Sequence, residues 1–138
     1  MTIQVLYHTK TGYSRKIAQA VDQALGVKAQ PVKDYQETGP IDLLFLVGGI
    51  YGGRSDQAML DFVPRLHPDN VARVALITTC ASGKDYQTAL RKALKVRGIP
   101  VDSDEHICPG SFLFFRLGRP NKEDLAAACD FALEKLSV

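Results

Sequence analysis

Cysteine is scarce in this chain. Cys80, Cys108 and Cys129 are odd in number and too far apart for a CxxC redox pair or a zinc knuckle, so they read as free thiols of a reducing compartment. Neither sign of charge dominates: 17 Lys and Arg against 15 Asp and Glu leave a formal +2. A dense cationic stripe interleaved with aromatics is missing, which speaks against nucleic acid as a partner. No apolar run approaches the roughly 20 residues that a membrane helix needs. The opening MTIQVLYH has neither the basic stretch nor the long apolar core of a signal peptide. These absences predict a cytoplasmic protein with no membrane span. No long polar or Pro/Gly/Ser-rich interruption divides the sequence, and 138 residues suffice to bury one core, so residues 1–138 are expected to form a single domain.

What is present is an alternation of periods. Ile3 to Tyr7, Ile41 to Val47 and Val74 to Thr78 are short apolar runs rich in β-branched residues, as strands buried on both faces would be. A weaker strand is expected near Val27 to Val32 and a fifth around Val101 to Cys108. Between them Ile17, Val21 and Leu25 recur at helical spacing before Gly26, a residue suited to ending a helix. A second helix is predicted from about Ser55 to Leu66, with Met59, Phe62, Val63 and Leu66 on one face. Tyr86, Ala89, Leu90, Ala93, Leu94 and Val96 mark a third, stopped by Gly98 and Pro100. The last follows Pro120-Asn121, with Asn121 and Asp124 at capping-box spacing and Leu125, Ala128, Cys129, Ala132, Leu133 and Leu136 as its apolar face. Five strands alternating with four helices predict an α/β fold: a doubly wound five-stranded parallel sheet in strand order 2-1-3-4-5, in three layers α/β/α. Ligands of such sheets bind beyond the carboxyl ends of the strands.

The loop after the first strand, Thr9-Lys10-Thr11-Gly12-Tyr13-Ser14, gathers three hydroxyls at a helix N-terminus. Free backbone N–H groups and the positive end of the helix dipole favour an anion there, and hydroxyls add neutral donors. Capping alone needs one hydroxyl; the surplus points to a phosphate. The second loop, Gly48-Gly49-Ile50-Tyr51-Gly52-Gly53, combines glycines that let backbone approach a flat ring with a tyrosine able to stack on one.

The strand, Thr9, the Thr11-Gly12 step, Ser14 and the small Ala18 together resemble the phosphate-loop signature of the flavodoxin family, in which hydroxyls and amides hold the phosphate of FMN without a cation. Ser14 stands where that family usually has Thr, and Tyr13 where a small or amide residue is common. The resemblance extends along the whole order of elements to Gly118-Arg119-Pro120 before the last helix. It implies FMN held by Thr9, Lys10, Thr11, Gly12, Tyr13 and Ser14 in the first loop and by Gly49, Ile50, Tyr51, Gly52 and Gly53 in the second. Gly52 or Gly53 is the candidate for the peptide that turns to accept a hydrogen bond from the reduced flavin N5. Thr79, Cys80, Ala81, Ser82 and Gly83 would meet the pyrimidine edge, although the order CASGKDY departs from the family pattern. Tyr86 reads either as part of that site or as helix core.

Other candidates read as structural. His8 lacks a second ligand at metal spacing, and His67 and His106 read as solvated. Phe112, Phe114 and Phe115 read as core or loop packing, with one ring able to cover the ligand, while Arg91, Lys92, Lys95 and Arg97 read as the wet face of the third helix. Folds of the same topology are excluded by their chemistry. A response-regulator receiver needs acidic residues after strand one and an aspartate after strand three, and a low-molecular-weight phosphatase needs a cysteine in the first loop. Neither a Walker A sequence nor GxGxxG follows the first strand. The resemblance therefore implies an FMN-binding electron carrier, shuttling electrons between redox partner proteins such as a flavodoxin reductase and an acceptor enzyme. No catalytic residue and no metal are needed. The alternatives are an FMN-dependent oxidoreductase, such as a quinone reductase or a protoporphyrinogen-oxidase-like protein, and a binding module that has lost flavin. Because the chain is not acidic, its partner surface is expected to be neutral or acidic.

Overall fold

The structure, a computed structural model, describes residues 1–10, 12–51, 53–80, 86–109 and 120–136. Its elements follow in the order β1 (Ile3–Tyr7), α1 (Tyr13–Leu25), β2 (Ala29–Pro31), β3 (Leu43–Tyr51), β4 (Arg54–Ser55), α2 (Gln57–Phe62), β5 (Val74–Cys80), α3 (Thr88–Arg97), β6 (Val101–Pro109) and α4 (Lys122–Leu136). The strands lie in the order β2-β1-β3-β5-β6, all parallel, with β4 folded back antiparallel on β3. Apart from the two-residue β4 this is the predicted five-stranded order.

Burial explains the layers. Every residue of β5 and all but the last of β3 are buried, as central strands covered on both faces must be. Val5, Phe45, Val47, Ala75 and Ile77 pack against Ile17, Ala18 and Val21 of α1 and Ala128 and Ala132 of α4. Leu6, Leu44, Leu46 and Leu76 face the other way, onto Met59 and Phe62 of α2 and Leu90 and Leu94 of α3. Alternate residues of one strand thus feed two separate cores.

The termini of the helices follow local chemistry. Gly26 takes φ +70° at the end of α1, and Gly98 takes φ +85° at the end of α3, a region closed to most side chains. Asn121 and Asp124 form the expected reciprocal cap, Asn121 N–H donating to Asp124 Oδ2 and Asp124 N–H to Asn121 Oδ1, both at 2.9 Å.

Several boundaries differ from those predicted. β3 and β5 continue through Gly48–Tyr51 and Thr79–Cys80, which had read as loop, because Gly48, Gly49 and Ile50 pair with Thr78, Thr79 and Cys80. The second helix is shorter than Ser55 to Leu66: α2 ends at Phe62 and gives way to a tight turn over Val63–Arg65, where Pro64 supplies no N–H to an α-helix. Tyr86 and Val96 are not core; they are 62% and 80% exposed. His106 lies in β6 rather than in a turn, its ring 5.4 Å from that of Phe131, and burial pushes its pKa down. The aromatic cluster Phe112, Phe114 and Phe115 and the Gly118-Arg119 step lie outside the described residues.

Candidate functional site

The carboxyl ends of β1, β3 and β5 meet at one end of the sheet, and side chains tie them to one another. Gly12 takes φ +89° as the residue before α1. Its N–H donates to Thr9 Oγ1 at 2.7 Å, which closes the first loop on itself. The first amide of this helix to find a carbonyl within it is that of Lys16, donating to Gly12 O. The amides of Tyr13, Ser14 and Arg15 thus stand before the helix with no intrahelical acceptor, an arrangement suited to an anion. Tyr13, half-buried, opens the helix with Lys16 Nζ 5.7 Å from its ring centre.

Ser14 faces inward. Its Oγ lies 2.9 Å from Thr79 Oγ1 and the residue is 1% exposed, so this hydroxyl pins the start of α1 to the end of β5. The second loop is a hairpin: Ile50 pairs with Ser55 and Tyr51 with Arg54, and Gly53 takes φ +77° in the connection. Tyr51, two residues beyond Gly49 on the same face of β3, lays its ring over that glycine. A Cβ at Gly49 would come within 2.7 Å of the ring, so only glycine allows the ring to lie there. The Tyr51 hydroxyl accepts from the Lys10 N–H at 3.2 Å, and Lys10 Nζ stands 4.7 Å above the ring centre. Burial raises the Tyr51 phenol pKa and the nearby Asp56 charge adds to it, against the opposing pull of the Lys10 N–H.

Two anchors were not foreseen. His8 Nδ1 pairs with Asp56 Oδ2, and the Asp56 carboxyl, 1% exposed, also accepts from Ala58 N–H at 3.1 Å to cap α2. This joins the foot of the first loop to the end of the second. Glu105 on β6, its side chain fully buried, accepts from Thr78 Oγ1 at 2.6 Å and Gln87 N–H at 2.9 Å, and forms an ion pair with Arg91 at 3.1 Å. It therefore fixes the end of β5 to the start of α3. Arg91 is accordingly not part of a wet face. Neither is Arg97, which donates to the carbonyls of Leu66 and Pro64. No local pattern announces either anchor; a His and an Asp 48 residues apart, or a Glu in the run DSDEHI, carry no signal until the strands are in register.

Replacing His8 by Ala leaves a buried carboxylate with one partner fewer. A loss of about 1–3 kcal/mol in a urea unfolding titration is expected, with part recovered by His8→Asn, whose amide can still donate to Asp56.

The structure thus brings together Thr9, Lys10, Gly12, Tyr13 and Ser14 with Gly49, Ile50, Tyr51 and Gly53 and with Thr79 and Cys80. Thr79 and Cys80 are buried strand ends, not loop residues. Thr11, Gly52, Ala81, Ser82 and Gly83 lie outside the described residues. The features present can take a phosphate-bearing flat ring: first-turn amides and the Thr9 hydroxyl, which accepts from Gly12 N–H and keeps its own hydrogen to donate, for the phosphate, and a glycine-floored tyrosine for the ring, while Ser14 Oγ is buried against Thr79.

Comparison with known proteins bears on the family and the fold. The family model described as a flavodoxin domain matches residues 4–104. No curated protein matches by sequence. Among solved structures, an archaeal flavodoxin is similar over 100% of both chains, with a TM-score of 0.74 and 13% identity. A short-chain flavodoxin associated with a bacterial microcompartment is similar over 99% of this chain and 98% of its own, with a TM-score of 0.72 and 19% identity. Oxidised flavodoxin 2 from Bacillus cereus is similar over 99% of both, with a TM-score of 0.69 and 15% identity. At these identities the structural likeness establishes the fold.

Proposed function

Because this chain belongs to the flavodoxin family, we propose that it binds FMN at the ends of β1, β3 and β5 and passes electrons between redox partner proteins. The observation that carries the reading is the junction of the three strand ends, where Lys10 meets Tyr51 and Ser14 meets Thr79 beside the first turn of α1, whose amides have no acceptor within the helix. Thr9 and Thr11 with the first-turn amides hold the phosphate, Gly12 shapes the loop through its bond to Thr9, and Ser14 joins them where its hydroxyl exchanges Thr79 for the phosphate. Gly49, Ile50, Tyr51, Gly52 and Gly53 flank the ring, and Thr79, Cys80 and residues 81–83 border its polar edge.

Bound FMN supplies the electron-transfer chemistry itself. The chain's part is to bind, orient and shield. The α1 dipole and the hydroxyls fix the phosphate with neutral donors. Tyr51 would cover the ring with an electron-rich face, and a peptide carbonyl of the Gly52-Gly53 step would accept a hydrogen bond from the reduced flavin N5–H. Gly53, already at φ +77°, belongs to a turn whose peptides can be reoriented at low steric cost. No residue in the arrangement has to act as a general acid or base.

The test is thermal or urea unfolding with FMN and with riboflavin. Ligand binding only the native state adds RT ln(1 + [L]/Kd), so FMN at 100 times its Kd should stabilise by about 2.7 kcal/mol. Riboflavin, which lacks the phosphate, should do clearly less. Equal shifts with both, or none with either, would overturn the phosphate-loop assignment. Turnover of NAD(P)H and a quinone by the FMN-loaded protein without added reductase would instead assign an enzyme.

A further inference from the structure

Between α2 and α3 lies an open hollow of about 620 Å³, floored by Leu60, Val63, Ala89, Ala93 and Val96. Val96 is 80% exposed there, an apolar side chain that helix α3 presents to water although its core face is supplied by Leu90 and Leu94. Lys92 and Arg97 stand at the rim. The hollow does not end there. A second depression links Lys92 and Ala89 to Tyr86 and to Gly53 and Arg54 of the hairpin, and a third links Lys92 to Lys95 and Arg91. Tyr86, the other large exposed apolar residue of this region, is 62% exposed.

Among the described residues the charges lining the three depressions are cationic, and no carboxylate lines them, the one on α2 being Asp61, which accepts from Gln57 Nε2 at 2.8 Å. Arg91 is neutralised by Glu105. Among the described residues Arg97 donates to the backbone carbonyls of Leu66 and Pro64, which orients its guanidinium without cancelling its charge. Arg54, Lys92 and Lys95 are exposed, and none joins an ion pair among the described residues. A cationic rim around an apolar floor matches an occupant with carboxylates outside and an apolar residue at the centre. A second copy of this chain would bring the same cations. A nucleic acid would satisfy the rim but offer nothing for the floor.

We propose that the α2–α3 face is the docking surface for an acidic protein partner that inserts apolar side chains between Val63 and Val96. Resting on the electron-transfer reading, this partner is a redox protein. The patch reaches the hairpin at Gly53 and Arg54, so a partner seated on it also borders the flavin end of the sheet.

The probe is a synthetic amphipathic helix carrying a leucine stripe on a glutamate surface, titrated into the isotope-labelled protein with and without FMN. Amide shifts are expected at Ala89, Lys92, Ala93 and Val96. The double variant Lys92→Glu, Lys95→Glu should raise the dissociation constant about tenfold, since it removes two exposed attractions and adds repulsion. Val96→Ser should raise it severalfold, and added salt should weaken the wild type but not the doubly reversed variant. All three positions are exposed, so the variants retain the fold. Equal binding of a peptide with lysine for glutamate, or with serine for leucine, would overturn the proposal. So would shifts confined to other faces, dimerisation of the free chain through this face, or stronger competition by an oligonucleotide than by the acidic peptide. Peptide binding is read without flavin as well, so a protein that binds no FMN would remove the electron-transfer reading and leave the docking face standing.

Discussion

With Thr11 and Ser14 both replaced by Ala, FMN affinity is expected to fall by about 1.5–6 kcal/mol while riboflavin affinity changes little, each lost hydrogen bond to a charged group being worth roughly 1.5–3 kcal/mol and Ser14 counting only where its hydroxyl leaves Thr79 for the phosphate. The selectivity matters more than the size. Ser14 Oγ also meets the buried Thr79 Oγ1, so Ser14→Ala removes a structural contact as well, and some loss of stability in the flavin-free protein is expected. Riboflavin isolates the two effects, because a distorted loop weakens both ligands and a missing phosphate donor weakens one. Titration of protein fluorescence with each ligand, beside an unfolding curve of the free variant, makes the comparison. If both ligands weaken alike, the hydroxyls serve the fold rather than the phosphate.

Removing the Glu105 carboxylate by Glu105→Ala is expected to destabilise the chain by about 2–6 kcal/mol, since the Thr78 hydroxyl and the Gln87 amide each lose a buried acceptor at about 1–3 kcal/mol, while Arg91, 28% exposed and still donating to the Asp102 and Asp104 carbonyls, adds less. Three donors lose their acceptor together: Arg91, the Thr78 hydroxyl and the Gln87 amide. Glu105→Gln keeps an oxygen for Thr78 or Gln87 and should recover part of the loss, though not the ionic share. Urea unfolding of the three proteins at neutral pH separates these contributions. A loss below about 1 kcal/mol for Glu105→Ala would show that Arg91 turns to solvent and that water replaces the missing acceptor.

The fold was legible because burial leaves a periodic trace. Ile17 and Val21 at helical spacing and the unbroken run Leu43 to Val47 could scarcely be used otherwise, and they lie in the core as their patterns required. The site was legible only where the chemistry is local, as in the hydroxyls around Gly12. Glycine misled the reading at the second loop. Gly48 and Gly49 look like chain breakers, since glycine is depleted in strands, yet they complete the ladder to Thr78 and Thr79. Gly49 is there for the space it leaves to Tyr51, a reason written in another residue. Charge misled it at α3: four basic residues at surface-like spacing read alike, while Glu105 and the carbonyls of Pro64 and Leu66 claim two of them from distant elements. His8 and Asp56 were invisible for the same reason. Their contact is created by β1 and β3 lying side by side with Tyr7 opposite Val47.

Asp56 has a consequence for how news of a ligand travels. One carboxylate holds His8 with one oxygen and the Ala58 amide with the other, and an amide in the first turn of a helix has no acceptor within that helix. The rate at which the Ala58 hydrogen exchanges with solvent is therefore a gauge of the His8 contact, read at a residue that need not touch the flavin. The gauge works in both directions, because coupling between two equilibria is reciprocal. Whatever steadies α2 from outside, through Leu60 or the adjoining Val63, steadies the carboxylate beneath the first loop, and whatever holds His8 in place quiets α2 in turn.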